Sequence, residues 1–155
     1  MDIGQIAPDF NLSTDSSGIV TLSNLRENMV VLYFYPKDNT PGCTSEAIAF
    51  SELKAEFDAL GVKIIGVSKD SPRKHDNFKA KYQLNITLAS DEEGETIRDY
   101  GVWVEKKLYG RVYMGIERAT FLIAADGSIA HVWRKVRVKG HAQDVLDTAR
   151  SLHAS

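Results

Sequence analysis

The stretch Met29-Val30-Val31-Leu32-Tyr33-Phe34-Tyr35-Pro36-Lys37-Asp38-Asn39-Thr40-Pro41-Gly42-Cys43-Thr44-Ser45-Glu46 decides the fold. Its first seven residues are a continuous run of β-branched, aromatic and other apolar side chains, the pattern of a strand buried on both faces of a sheet. Downstream, apolar residues recur at Ala47, Phe50, Leu53, Phe57 and Leu60, a helical rhythm that stops at Gly61. Between them the prolines, the glycine and the turn-forming polar residues require the strand to end and a helix to begin. Thr40 is placed as the N-cap and Pro41 as the first helical residue, where a missing amide costs nothing. Cys43, the only cysteine of the chain, then lies in the first helical turn.

A helix start is partly positive, because its amides are unpaired and its peptide dipoles sum there. Such a setting favours thiolate over thiol, and thiolate is the nucleophile. A cysteine used as a small hydrophobe is the competing reading. Strand ends rich in Pro, Gly and Thr are poor places to bury an inert thiol, so the local context favours a reactive Cys43.

Working outward, Val62–Ser68 reads as a second buried strand. Strand, helix and strand within about 40 residues make a βαβ unit with parallel strands. Toward the N-terminus, Ile6–Leu12 and Ile19–Leu22 flank a turn at Asp15–Gly18 and predict a β-hairpin. Toward the C-terminus, Ser71-Pro72 opens a helix through Tyr82, Leu84–Ala89 reads as a strand, and a helix covers Glu95–Tyr100. The segment Gly101–Glu117 has three glycines and no clean period, so it reads as a long loop. Ala119–Ala125 and Ser128–Trp133 around Asp126-Gly127 predict a second hairpin. The basic stretch Arg134–Lys139 alternates like a partly solvated strand edge, and an amphipathic helix runs from Gly140. The expected architecture is α/β, a mixed sheet flanked by helices, with residues 1–155 forming one domain.

Composition narrows the function classes. A chain of 155 residues, 43% hydrophobic and with net charge −2, gives no reason to expect nucleic-acid or membrane binding. One cysteine forms no internal disulfide framework and points to a reducing compartment, the cytoplasm by default. The four histidines, at positions 75, 131, 141 and 153, lack metal-ligand spacing with Cys43 or each other, so no metal and no cofactor is expected. Without a Cys-x-x-Cys pair, a thioredoxin-type disulfide reductase is disfavoured.

The chain resembles a peroxiredoxin, a thiol peroxidase on a thioredoxin-like fold. The family pattern of Pro, three residues, Thr or Ser, two residues, Cys is met by Pro36, Thr40 and Cys43. Phe34–Asp38, Pro41–Thr44, Gly101–Lys107, Arg118–Ile123 and Lys135–Ala142 resemble the Q-type, or bacterioferritin comigratory protein, branch. The resemblance runs over essentially the whole chain. It implies Cys43 as the peroxidatic nucleophile, Thr40 and the Cys43 amide as holders of the peroxide oxygens, Pro36 as a cover that limits water, and Arg118 as the cation that stabilises thiolate and peroxide. Glu46 reads as structural, since a carboxylate close to Cys43 opposes thiolate formation.

Many Q-type members carry a resolving cysteine five residues after the first, where this chain has Ile48; others carry it on the helix after the second core strand. This chain has neither, so its sulfenic acid needs an external thiol: thioredoxin, glutaredoxin with glutathione, or a small thiol. The resemblance implies a hydroperoxide substrate and a monomer, with a dimer as the other option. A second functional reading stays open at this point: a peroxide sensor that relays oxidation from Cys43 to a partner protein.

Overall fold

A computed structural model describes residues 1–154. Its centre is a seven-stranded sheet in the order β2-β1-β5-β4-β3-β8-β9. The strands are β1 (Asn11–Thr14), β2 (Ile19–Thr21), β3 (Val30–Phe34), β4 (Lys63–Ser68), β5 (Thr87–Ser90), β8 (Ala119–Ile123) and β9 (Ile129–Trp133). β3, β4 and β5 run parallel, while β8, β9, β1 and β2 join antiparallel, so the sheet is mixed as expected. The helices are α1 (Pro41–Ala59), α2 (Pro72–Tyr82), α3 (Glu95–Asp99) and α4 (His141–His153).

Every residue of β3 is buried, because β4 and β8 flank it and both faces of the sheet are covered. Its period-2 alternation divides the core. Val31, Tyr33 and Tyr35 pack with Ala47, Phe50 and Phe57 of α1 and with Val145, Leu146 and Ala149 of α4. Val30, Leu32 and Phe34 face the other way, onto Ile97 and Tyr100 at α3 and onto Phe10 and Leu22 of the N-terminal segment. Cys43 belongs to the first of these cores. The site therefore stands on two elements that the hydrophobic pattern itself dictates.

Two expected features differ. The segment between Gly101 and Glu117 is not a loop but a β-ribbon, β6 (Trp103–Leu108) paired antiparallel with β7 (Arg111–Ile116). Its two-residue turn, Tyr109-Gly110, has φ of 51° and 77°, the left-handed pair that a tight hairpin requires. The ribbon forms a sheet of its own, and most of its residues are exposed, which removes the alternation a half-buried strand would show. The second difference is the basic stretch 134–139, which is not a strand. β9 stops at Trp133, and Lys135 has φ of 49°, a conformation no strand accommodates. The backbone turns there to meet Glu117: Lys135 N–H donates to Oε2 at 3.0 Å, and Arg134 Nε donates to the same oxygen at 2.6 Å.

The N-terminal hairpin is present, although β1 begins at Asn11, later than the pattern suggests. Ile6 instead bridges Ser128, next to the turn before β9.

Candidate active site

The loop between β3 and α1 carries the thiol. Asn39 takes a left-handed φ of 60°, which reverses the chain before Thr40. Thr40 is the N-cap in extended conformation, and Pro41 opens α1 as expected. The Thr40 side chain, however, caps no amide; its hydroxyl donates to the Lys37 carbonyl at 2.9 Å. No side chain therefore caps the amides of the helix start, which lie beside half-buried Thr40.

Cys43 is buried, with 1% of its surface exposed. Arg118, the residue before β8, reaches it from the neighbouring strand: Nη2 donates to Sγ at 3.4 Å, and Nη1 donates to Glu46 Oε1 at 2.7 Å. Gly42 makes room for this, since a Cβ there would lie 3.1 Å from Arg118 Nη2. The backbone of Arg118 is fixed as well, its carbonyl accepting from Val136 N–H at 2.9 Å. Beside it, burial pushes the Glu117 carboxyl up, but bonds from Arg134 and the Lys135 amide outweigh this and hold it below the ordinary value. Lys106 of β6 feels both Arg118 and Cys43; burial, then Arg118, lowers it from the ordinary lysine value.

Glu46 is the residue that sequence reasoning undervalues. It is buried in the first core, and burial raises its carboxyl to about 7 although Arg118 pulls the other way. Its Oε2 has no hydrogen-bond partner. Burial opposes charge on Arg118 too, but Glu46 and Cys43 more than offset this, so the guanidinium stays ionised and Glu46 is the member that titrates. Its spacing of three from Cys43, one helical turn, is the signal the sequence carries.

Pro36 is half-buried at the exit of β3, and Trp103 packs against the second core with Lys69 Nζ 4.7 Å from its ring centre. His75 and His141 serve hydrogen bonds: His75 meets Asp38 and the Ala89 carbonyl, and His141 Nε2 lies 2.8 Å from Thr120 Oγ1. Among the described residues, no cluster of three or more His, Cys, Asp or Glu side chains is arranged to hold a metal, and no helix is long and apolar enough to cross a membrane.

Residues 3–132 match the AhpC/TSA family model. The chain is 46% identical over 152 residues to peroxiredoxin Bcp of Bacillus subtilis, covering 98% of this chain and 97% of that protein. It is 41% identical over 144 residues to peroxiredoxin Bcp of Escherichia coli, covering 93% and 92%. The bacterioferritin comigratory protein of Xanthomonas campestris, solved in a study of its alkyl peroxide reduction activity, superposes with a TM-score of 0.92 at 42% identity, over 98% of this chain and 99% of that one. A cysteine-to-serine variant of peroxiredoxin Q from Xylella fastidiosa gives 0.94 at 38% identity, over 100% and 98%. With its thiol at a helix start against an arginine from the adjacent strand, this chain belongs to the AhpC/TSA family, in the peroxiredoxin Q or bacterioferritin comigratory protein branch of thiol-dependent peroxidases.

Proposed function

We propose that the chain reduces hydrogen peroxide and organic hydroperoxides through a one-cysteine cycle at Cys43. The observation that carries this reading is the Arg118 donor 3.4 Å from Sγ at the start of α1. The thiolate attacks one peroxide oxygen in line, the O–O bond breaks, and its electron pair leaves with the second oxygen, which takes a proton to become water or alcohol. Cys43 is left as a sulfenic acid. The negative charge that moves from sulfur to the departing oxygen stays close to one guanidinium, which is charged at every stage. The Thr40 hydroxyl, its own proton given to Lys37, accepts from the peroxide O–H, and the Cys43 amide donates to an oxygen. Pro36 keeps water from the loop. Thr40, Thr44, Gly42 and Arg118, all partly exposed around a buried thiol, mark the approach open to a small oxidant.

With one cysteine in the chain, the sulfenic acid is cleared by an external thiol. That thiol attacks sulfur, releases water and forms a mixed disulfide, and a second thiol then frees Cys43. Thioredoxin, or glutaredoxin with glutathione, is the proposed reductant, in a reducing compartment such as the cytoplasm, with the enzyme acting as a monomer. The relay alternative gains no support of its own from the geometry.

The test is continuous peroxide consumption with a panel of reductants, using hydrogen peroxide and an alkyl hydroperoxide. Multiple turnovers with thioredoxin or glutathione, absent in Cys43→Ser, are the expected result. A single stoichiometric burst with every reductant would overturn the enzyme reading in favour of a relay.

A further inference from the structure

The peptide between Lys37 and Asp38 is gripped at both ends. Its carbonyl accepts from Thr40 Oγ1 at 2.9 Å, and its N–H donates to Asp70 Oδ2 at 2.8 Å. Asp70 lies just beyond β4, the strand parallel to β3, so its grip on the loop crosses from the neighbouring strand. It is itself fixed: Ser68 Oγ donates to the same Oδ2 at 2.7 Å, and the Asp70 N–H donates to Ser68 Oγ at 3.2 Å. Ser68, Asp70 and Asp38 are all buried.

A second set of bonds holds Asp38. Tyr35 Oη donates to its Oδ1 at 2.5 Å, and His75 Nδ1 lies 2.6 Å from Oδ2. His75 Nε2, 3.0 Å from the Ala89 carbonyl, must carry a hydrogen, because a carbonyl only accepts. The side chain of Asp38 is thus tied to Tyr35, just past β3, and to α2 while its amide is tied to Asp70, and the peptide plane between Lys37 and Asp38 has little freedom.

This matters because one hydroxyl has one proton. While Thr40 gives its proton to Lys37 O, the oxygen can only accept, which is what an incoming peroxide O–H requires. Were the plane to rotate, the proton would be released and the hydroxyl could turn to other partners. A carboxylate on the N–H of the same peptide also polarises the amide and strengthens its carbonyl as an acceptor.

We propose that Asp70 is a positioning residue for the peroxidase step, acting through the Lys37–Asp38 peptide to set the direction of the Thr40 hydroxyl. The assignment rests on the reading of Thr40 as a peroxide contact. It separates two properties of the site: peroxide reduction depends on Thr40, whereas alkylation of Cys43 by iodoacetamide, which has no peroxide O–H to place, depends on the Arg118 side.

The experiment measures both rate constants at pH 7 for Asp70→Asn, Thr40→Val and the double variant. Asp70→Asn keeps size and removes the charge. The expected result is a loss of about tenfold in peroxide reduction, the scale of one charge-assisted bond, with alkylation changed less than about twofold, and no further loss when Asp70→Asn is added to Thr40→Val. A parallel fall in both reactions, or losses that multiply in the double variant, would overturn the assignment. If Asp70→Asn does not fold, Ser68→Ala decides, since it removes both bonds between Ser68 and Asp70 without changing charge: a smaller loss confined to peroxide reduction supports the role, and an unchanged ratio of the two rates overturns it. A normal peroxide rate in Thr40→Val would instead defeat the reading of Thr40, whereas a slow Thr40→Val with a normal Asp70→Asn defeats only the positioning role.

Discussion

Replacing Arg118 with methionine removes the guanidinium while keeping much of the length and apolar bulk of its side chain. The direct loss is large. A unit charge 3.4 Å from sulfur amounts to about 5 kcal/mol at an effective dielectric of about 20, as an upper bound, and single charge-assisted bonds measure about 1.5–3 kcal/mol. A second change works against it. Glu46 is held down to about 7 only by Arg118; without that partner the buried carboxyl rises further and is neutral at pH 7. The thiolate therefore loses a cation and a neighbouring anion together. The cation is bonded to sulfur and the anion reaches the pair through the other guanidinium nitrogen, so the cation's loss dominates. Alkylation of Cys43 at pH 7 is expected to slow by about tenfold, the equivalent of ~1.4 kcal/mol. On the proposed mechanism, peroxide reduction also loses the donor for the departing oxygen and is expected to fall by a further ~10–100-fold. Stopped-flow oxidation with hydrogen peroxide, and iodoacetamide labelling followed by mass, give the two numbers. Adding Glu46→Gln to Arg118→Met should leave alkylation where it was, since Glu46 is already neutral in the single variant. Equal losses in both reactions would confine Arg118 to the thiolate, and no loss in either would refute the reasoning.

Two further outcomes concern pH. The Glu46 carboxyl is raised in the fold, so its contribution to stability is fully present below the unfolded value, near 4.5, and is lost as pH rises through about 7. Glu46→Gln, which mimics the neutral form, should gain about 1–3 kcal/mol on the parent between pH 5 and pH 8 in denaturant melts; a constant offset across that range would count against a titrating Glu46. His141 is lowered to about 4 by burial, with Asp144 opposing and Arg118 assisting. Its contribution is present above the unfolded value, near 6.5, and is lost as pH falls through about 4. After a discount for solvent screening, the parent should lose about 2 kcal/mol across that window, which His141→Gln should not; identical acid profiles would remove His141 as the cause.

What depends on neighbours along the chain and on burial is legible in the sequence. The apolar run of β3 fits only a central strand, and Thr40-Pro41 fits only a helix start, so local pattern alone puts Cys43 in the first turn of α1. Arg118 is 75 residues from Cys43. As a residue it is an ordinary strand-end charge, and only the family resemblance singles it out. The bonds that hold the loop have the same character. Asp38 meets Asp70 across 32 residues and His75 across 37, and neither pairing leaves a periodic trace. Glu46 is visible, one turn from Cys43, but without the fold its carboxylate has no cation to face and so looks like helix chemistry. The β6–β7 ribbon escapes for a different reason: binary patterning reports burial, and a ribbon exposed along most of its length has little to report.

Ile48 ties the chemistry back to the helix. Residues five apart on an intact α-helix stand more than about 7 Å apart along its axis alone, beyond the reach of a disulfide. A helix that carried both cysteines would have to unwind between them in every cycle. Here position 48 is an isoleucine packed against the first core, next to fully buried Ala47 and near fully buried Phe50. Unwinding that segment would expose apolar surface at about 25 cal/mol per Å², with no disulfide formed in return. The isoleucine thus removes the chemical reason for α1 to open and adds a packing reason for it to stay closed. The part of α1 that reaches the surface beside the thiol is its first turn, where the Thr44 amide bonds the Thr40 carbonyl at 2.8 Å and Pro41 and Ser45 are exposed. A thiol that is 1% exposed must emerge there before a protein reductant can reach it. The burden of resolution therefore passes from a second cysteine on the helix to an external thiol.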